Sequence, residues 1–318
     1  MSRLDEFEII NLFQKSFGRK SKFIPDDVEI LRLNNTDFVA KSDMLVQSTD
    51  VPPGMKLEEV ARKSVVACIS DFASKGVKPR YATISLSIPK TFSRSKIMKL
   101  AKGFSLASRE FRVRILGGDV NEGQELVIDV SMYGVAKKII PRRGAIINDI
   151  IITSGPFGYS YAGLKIILNH LRASPSFIKK SKLNVYHPTP RLKFGLSICN
   201  FITSSMDSSD GLSNTLNEMS KQSKKKFVIT KLPTDFEVEK FVNRNRIRLT
   251  DLVFCGGEEY EIVATASRKH LPKIKEIAKV QKVPLFEIGF VTSGRGVFFK
   301  KMNQVMKVKN CGWVHFRS

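Results

Sequence analysis

Aspartates with small or apolar neighbours mark the places where this chain could do chemistry. Asp207 and Asp210, in Met206-Asp207-Ser208-Ser209-Asp210-Gly211-Leu212, stand three apart with only hydroxyl side chains between them. That arrangement lets hard oxygen ligands converge on a hard cation such as Mg²⁺. It equally suits the start of a helix, where Asp or Ser accepts the first free amides, and both uses are open on these residues alone. Asp26 and Asp27 follow Pro25 in a turn over 23–31 that opens into a strand; adjacent carboxylates among apolar residues imply a cation nearby, a solvated Pro-Asp turn being the alternative. Asp43 lies in an apolar strand pattern. Asp71 sits inside a helical one, where a buried carboxylate needs a partner or a metal. Asp119 follows Gly117-Gly118, which would let backbone amides approach a phosphate closely or would serve a hairpin turn. With carboxylates so placed and no histidine partner beside them, the chemistry indicated is oxygen-ligand metal binding.

The elements that must position these acids can be read from periodicity. Apolar spacing near 3.6 predicts helices over 4–17, ending at Gly18, and over 57–76, 93–111, 160–171, 236–243 and 269–280. Alternation or short apolar runs predict strands over 38–46, 81–89, 113–120, 126–136, 150–153, 227–232 and 285–291, with a hairpin at 293–296. The loop 154–158 precedes a helix and could cradle a phosphate, although no Gly-Lys-Ser/Thr follows it. The basic, turn-rich stretch 137–149 divides two α+β units, which we place at 1–138 and 139–318. Each half pairs strands with a glycine-pair-and-acid motif, the second being Gly256-Gly257-Glu258-Glu259.

Composition narrows the class. The 318 residues suffice for two domains, and 42% hydrophobic content is that of a globular protein. No apolar run approaches the roughly 20 residues a membrane span needs, and the acidic amphipathic N-terminus is unlike a signal peptide, so a cytoplasmic protein is expected. Cys68, Cys199, Cys255 and Cys311 are far apart in sequence and read as reduced packing residues. The formal charge of +23 is spread along the chain without a nucleic-acid-binding motif, so it reads as a Lys-rich surface that attracts anionic ligands.

Taken together and in order, the stretches PDD (25–27), KSDML (41–45), ISDFASKGVKPRYATISLSIP (69–89), LGGDVNEG (116–123), PRRGA (141–145), HPTPR (187–191), MDSSDGL (206–212) and CGGEEYEIV (255–263) resemble the thiamine-monophosphate kinase family. That family lies within the aminoimidazole-ribonucleotide-synthetase-like superfamily. The resemblance implies a two-domain α+β fold, with an N-terminal sheet that forms a barrel across a homodimer and a C-terminal α/β domain. It also implies ATP-dependent, Mg²⁺-assisted phosphorylation of thiamine monophosphate to thiamine diphosphate by direct in-line transfer. Carried over residue by residue, Asp26, Asp27, Ser42, Asp43, Asp71, Asp119 and Asp210 are metal positions, Asp43 and Asp210 being the catalytic pair. Gly117, Gly118, Asp119, Arg142 and Ser209 are nucleotide or phosphate positions. Asp50, Glu259 and Trp313 are substrate positions. Departures from the usual pattern fall at Pro25 to Glu29, Ser48 to Asp50, Glu259 and 312–316. The competing readings are a sister ATP-dependent enzyme acting on an aminoimidazole precursor or selenide, and a basic nucleic-acid-binding protein.

Overall fold

Alternation along the strands between residues 29 and 136 builds one sheet with a single covered face. The computed structural model describes residues 4–17, 25–34, 36–302 and 304–316. The first half runs α1 (Glu6–Ser16), β1 (Glu29–Leu33), β2 (Thr36–Val46), the single turn α2 (Gln47–Asp50), α3 (Leu57–Lys75), β3 (Lys78–Pro89), α4 (Arg94–Phe111), β4 (Arg114–Gly123) and β5 (Val127–Ala136). Its strand order is β1-β2-β5-β3-β4. Only β3 and β4 are parallel, and α4 joins them, as a parallel pair requires a crossover. Val39, Leu45, Ala82, Ile84, Ile128, Val130 and Met132 pack with α3 and α4. On the opposite face Ser42 Oγ donates to Asp129 (2.7 Å) and the Phe38 ring stacks on Tyr133 (5.8 Å between centroids).

The second half runs β6 (Ile150–Thr153), α5 (Tyr159–Asn169), α6 (Pro175–Tyr186), α7 (Leu192–Ile198), β7 (Ser204–Ser208), α8 (Leu212–Ser223) and β8 (Lys226–Ile229). It continues through α9 (Phe236–Asn245), α10 (Leu249–Cys255), β9 (Glu261–Ala266), α11 (Leu271–Val280), β10 (Phe286–Thr292), β11 (Gly296–Lys301) and β12 (Gln304–Lys307). The sheet order is β12-β11-β8-β10-β6-β9-β7. Strands β6, β7 and β9 are buried at every position, so they read as unbroken runs rather than alternating ones.

Helix α3 belongs to both halves: Phe72 lies in the first core and the adjacent Ala73 in the second. It ends where Gly76, at φ +67°, takes the left-handed cap conformation that glycine adopts without strain.

Three expectations are corrected. The 293–296 turn is no hairpin, because β10 and β11 lie on either side of β8 and both pair with it; β8 is nearly all buried and needs a neighbour on each edge. Gly117-Gly118 is not a turn: β4 continues through it in parallel register with β3. A side chain at Gly118 would place Cβ 1.7 Å from the Ile84 carbonyl oxygen, so glycine there serves strand approach. Finally, Cys255 and Cys311 form a disulfide, their Cα atoms 4.9 Å apart, while Cys68 and Cys199 are free. The final segment folds back over α8, where the Cys311 amide donates to Ser213 Oγ (3.1 Å) and Asn310 Nδ2 to Asn214 (2.9 Å). A separation of 56 residues gives no hint of that return. The predicted helix stop at Gly18, and Phe23 and Ile24 of the predicted turn, lie outside the described residues.

Candidate active site

A polar stripe along the last two turns of α3 organises the site. Ser70, Asp71, Ser74 and Lys75, spaced to share one face of α3, point to the seam between the two sheets and are all buried. Ser70 Oγ donates to Asp207 (2.9 Å), and Ser74 Oγ donates to Asp27 (3.0 Å). Lys75, with no exposed side-chain surface, reaches Asp26 (2.6 Å), Asp27 (2.7 Å) and the Ser205 carbonyl (2.7 Å). One helix thereby gathers the Pro25-Asp26-Asp27 turn of the first half and β7 of the second.

Where they meet, carboxylate oxygens of Asp27, Asp71 and Asp207 all lie within 4.8 Å of one another, and all three residues are buried. Their ionisation differs with their neighbours. Burial alone would push Asp27 up, but Arg142 and Lys75 outweigh it and hold the carboxyl at about 2. Arg142 supplies this with its Nε at 2.7 Å and a second nitrogen on the same oxygen. Asp207 is pushed up to about 7 by burial, with the negative charge of Asp27 adding to the effect. Asp71 is also raised, again by burial first, with Lys41 opposing and Asp207 and Asp43 reinforcing. Lys41 lies between Asp71 (2.9 Å) and Asp43 (3.3 Å). Carboxylates crowded like this resist ionising together, and a divalent cation among them reverses that balance.

Asp210 stands at the rim, after β7 and before α8. Helix α8 is capped by Gly211 at φ +105° with no side-chain cap, so the capping use of the heptapeptide is not the one adopted. Asp210 instead accepts from Asn214 (3.2 Å) and is raised to about 6 by burial, with Glu6 of α1 contributing. The Trp313 amide donates to the Asp210 carbonyl (2.9 Å), which sets the indole, 59% exposed, beside this rim.

The structure thus brings together Asp26, Asp27, Asp43, Asp71, Asp210 and Arg142, with Trp313 adjacent. Ser209 joins them only through its backbone, its carbonyl accepting from the Glu258 amide. It does not bring the others in this chain. Ser42 points to the opposite face of the first sheet, where it bonds Asp129 and lies near Ser131. Gly117, Gly118 and Asp119 are exposed on edge strand β4, Asp119 in register with Ser85. Asp50 accepts from the Val46 amide (2.6 Å), closing the turn after β2. Glu259 is buried and accepts from the amides of Gly158 (2.7 Å) and Ser160 (3.2 Å) at the start of α5. That carboxylate takes the amides the 154–158 loop would have offered a phosphate; burial raises it to about 8 despite these bonds. Glu258 and Tyr260 on either side have left-handed backbones, φ +61° and +52°.

The sequence pairs Asp207 with Asp210, yet the resemblance leaves Asp207 out of the metal set and assigns no role to Ser70, Ser74, Lys75 or Lys41. Their signal was present: Ser70 and Ser74 are four apart, with a lysine next, on a helix whose remaining residues here are apolar.

Comparisons with known proteins identify the family. Residues 25–136 match the family model for the AIR synthase related protein, N-terminal domain. The chain is similar to thiamine-monophosphate kinase of Nitrosopumilus maritimus (strain SCM1), 51% identical over 317 residues and 100% of each chain. It is 30% identical to thiamine-monophosphate kinase of Pyrococcus horikoshii, covering 100% of this chain and 98% of that one. It superposes on the solved structure of AaThiL complexed with AMPPCP and TMP with a TM-score of 0.85 and 26% identity, over 98% of this chain and 97% of the other. Full-length identity at this level, on a chain that superposes on a solved member nearly end to end, means that this chain belongs to the thiamine-monophosphate kinase family.

Proposed function

We propose that this protein transfers the γ-phosphoryl group of ATP to thiamine monophosphate, giving thiamine diphosphate, by direct in-line attack without a phosphoenzyme. The observation that carries the reading is the buried convergence of Asp27, Asp71 and Asp207, with Asp43 and Asp210 beside it, in a chain similar along its length to thiamine-monophosphate kinases. The related AaThiL, solved with AMPPCP and TMP, supports both reactants. The acceptor is itself a phosphate oxygen, ionised near neutral pH, so no strong general base is required and catalysis reduces to positioning and charge neutralisation.

Mg²⁺ fits this donor set: hard carboxylate oxygens, close together, of which those of Asp71 and Asp207 resist ionising without a cation. Asp27, Asp71, Asp207, Asp43 and Asp210 would hold it, and when bound it would neutralise phosphate charge as two anionic reactants meet. Arg142 stands ready at the edge of the cluster to orient phosphate oxygens, with Ser209 alongside, and Trp313 offers a face on which the thiamine rings stack. Asp50 and Glu259 complete the substrate positions, their carboxylates held by the Val46 amide and by the amides of Gly158 and Ser160.

The proposal includes a domain boundary at residues 138 and 139, and a homodimer in which two first-half sheets close on each other. Exposed Met44, Tyr81, Leu116 and Val120 on or beside the sheet's uncovered face and edge favour that closure, and Gly117, Gly118 and Asp119 would meet the nucleotide there. Among the described residues no helix is long and apolar enough to cross a membrane; a cytoplasmic site, where ATP is abundant, completes the reading. Incubation with ATP and Mg²⁺ and either thiamine monophosphate, thiamine or an aminoimidazole ribonucleotide precursor tests it, with thiamine diphosphate expected only from the first. No nucleotide consumption with any acceptor, or retention of configuration with a chiral γ-phosphate, would overturn it.

A further inference from the structure

Lys41 lies on the covered face of β2, two residues from Asp43, with only 24% of its side chain exposed. Its ammonium contacts Asp71 at 2.9 Å and Asp43 at 3.3 Å, one carboxylate from β2 and one from α3. That is the bridging position between two carboxylates that a cation takes in an oxygen-ligand site. The other acids divide unevenly around it. Asp26 and Asp27 have Lys75 and Arg142. Among the described residues, the Asp207 side chain accepts only from the Ser70 hydroxyl. Lys41 therefore partitions the seam into carboxylates already neutralised by the chain and a remainder, centred on Asp207, that is not.

We infer that Lys41 is a resident cation standing in for one divalent ion between Asp43 and Asp71, so that the protein without nucleotide binds one fewer ion than its carboxylates alone would hold. The inference rests on the proposal that these aspartates bind Mg²⁺, and it adds that part of the positive charge is built into the chain. A covalently attached ammonium loses no translational freedom on arriving, and it keeps the two carboxylates together before any metal binds. It also carries one charge rather than two, leaving residual negative potential to draw an ion to Asp207.

Isothermal titration of the full-length, nucleotide-free protein with Mn²⁺ tests this without reference to turnover. The wild type is expected to bind Mn²⁺, and Lys41→Gln to take up about one more ion per chain or to bind roughly tenfold more tightly, as follows from removing a like charge within a few ångströms. Lys41→Arg, which keeps the charge, should behave as wild type. Lys41→Gln combined with Asp43→Asn should lose the gain, and it covers the case in which Lys41→Gln alone fails to fold because two carboxylates face each other unneutralised. Equal stoichiometry and affinity in wild type and Lys41→Gln would overturn the inference while leaving the metal-site proposal standing. No Mn²⁺ binding by any of the proteins would overturn both.

Discussion

Asp27 and Asp207 occupy the same cluster, with oxygens within 4.8 Å of each other, yet they are opposite kinds of carboxylate. Asp27 is held down at about 2, by cations that overcome its burial; Asp207, equally buried, rises to about 7. The depth is the same and the residue type is the same, so the difference lies in what each half of the molecule provides. The turn at 25–27 meets Lys75 from α3 and Arg142 from the stretch between the sheets, whereas β7 brings its acid to a serine. One side of the seam is a finished ion-pair network. The other is a buried carboxylate with no ion pair among the described residues, and such a group is where a ligand cation belongs.

The contrast can be broken most severely from the finished side. Asp27→Asn leaves Lys75 and Arg142 buried with one carboxylate fewer, and it should cost about 3–5 kcal/mol, read as a shifted urea midpoint, besides abolishing turnover. A variant as stable as wild type would show that the pair network is not what holds the turn to α3. The same substitution across the cluster, Asp207→Asn, should abolish turnover while leaving the metal-free protein as stable as wild type or more so, because it removes a charge that folding penalises. Since both variants lose turnover, comparing the two urea curves shows which of the two carboxylates also holds the fold together.

The pH dependence sharpens the contrast further. Asp207 has a folded value near 7 against an ordinary 3.8, so between those values the folded chain holds a proton that the unfolded chain has released. Stability contributed by this group is therefore present at low pH and falls as pH rises from about 4 to about 7. Asp27 acts in the other sense: its contribution is present above its ordinary value and is lost only as pH falls toward about 2. Thermal melts in chelator should show the first effect in wild type and not in Asp207→Asn, and added Mg²⁺ should raise the melting temperature more at pH 8 than at pH 5.

Much of this architecture could be read before the fold was known, because alternation and 3.6-residue spacing report which face is buried. Strand β2 and helices α3 and α4 fall within a few residues of their expected limits for that reason. Features that depend on partners distant in sequence could not be read in the same way. Nothing in 285–301 says that β8 lies between β10 and β11, and nothing in a glycine pair distinguishes a turn from a strand that must approach its neighbour closely. The site follows the same division. The aspartates were recognisable by type and setting, and Asp26-Asp27 correctly implied a cation nearby. That the cations are Lys75 and Arg142, or that Glu259 turns toward helix amides, depends on contacts between residues far apart in sequence.

The Cys255–Cys311 bond has a practical consequence for anyone handling the protein. It closes a loop across a sequence separation of 56 residues, and a crosslink of that span removes about 4 kcal/mol of unfolded-chain entropy on a simple loop-closure estimate. Material purified in air and material kept in dithiothreitol are then two preparations with different melting temperatures, and in the first the chain end that carries the indole is held covalently as well as by its hydrogen bonds.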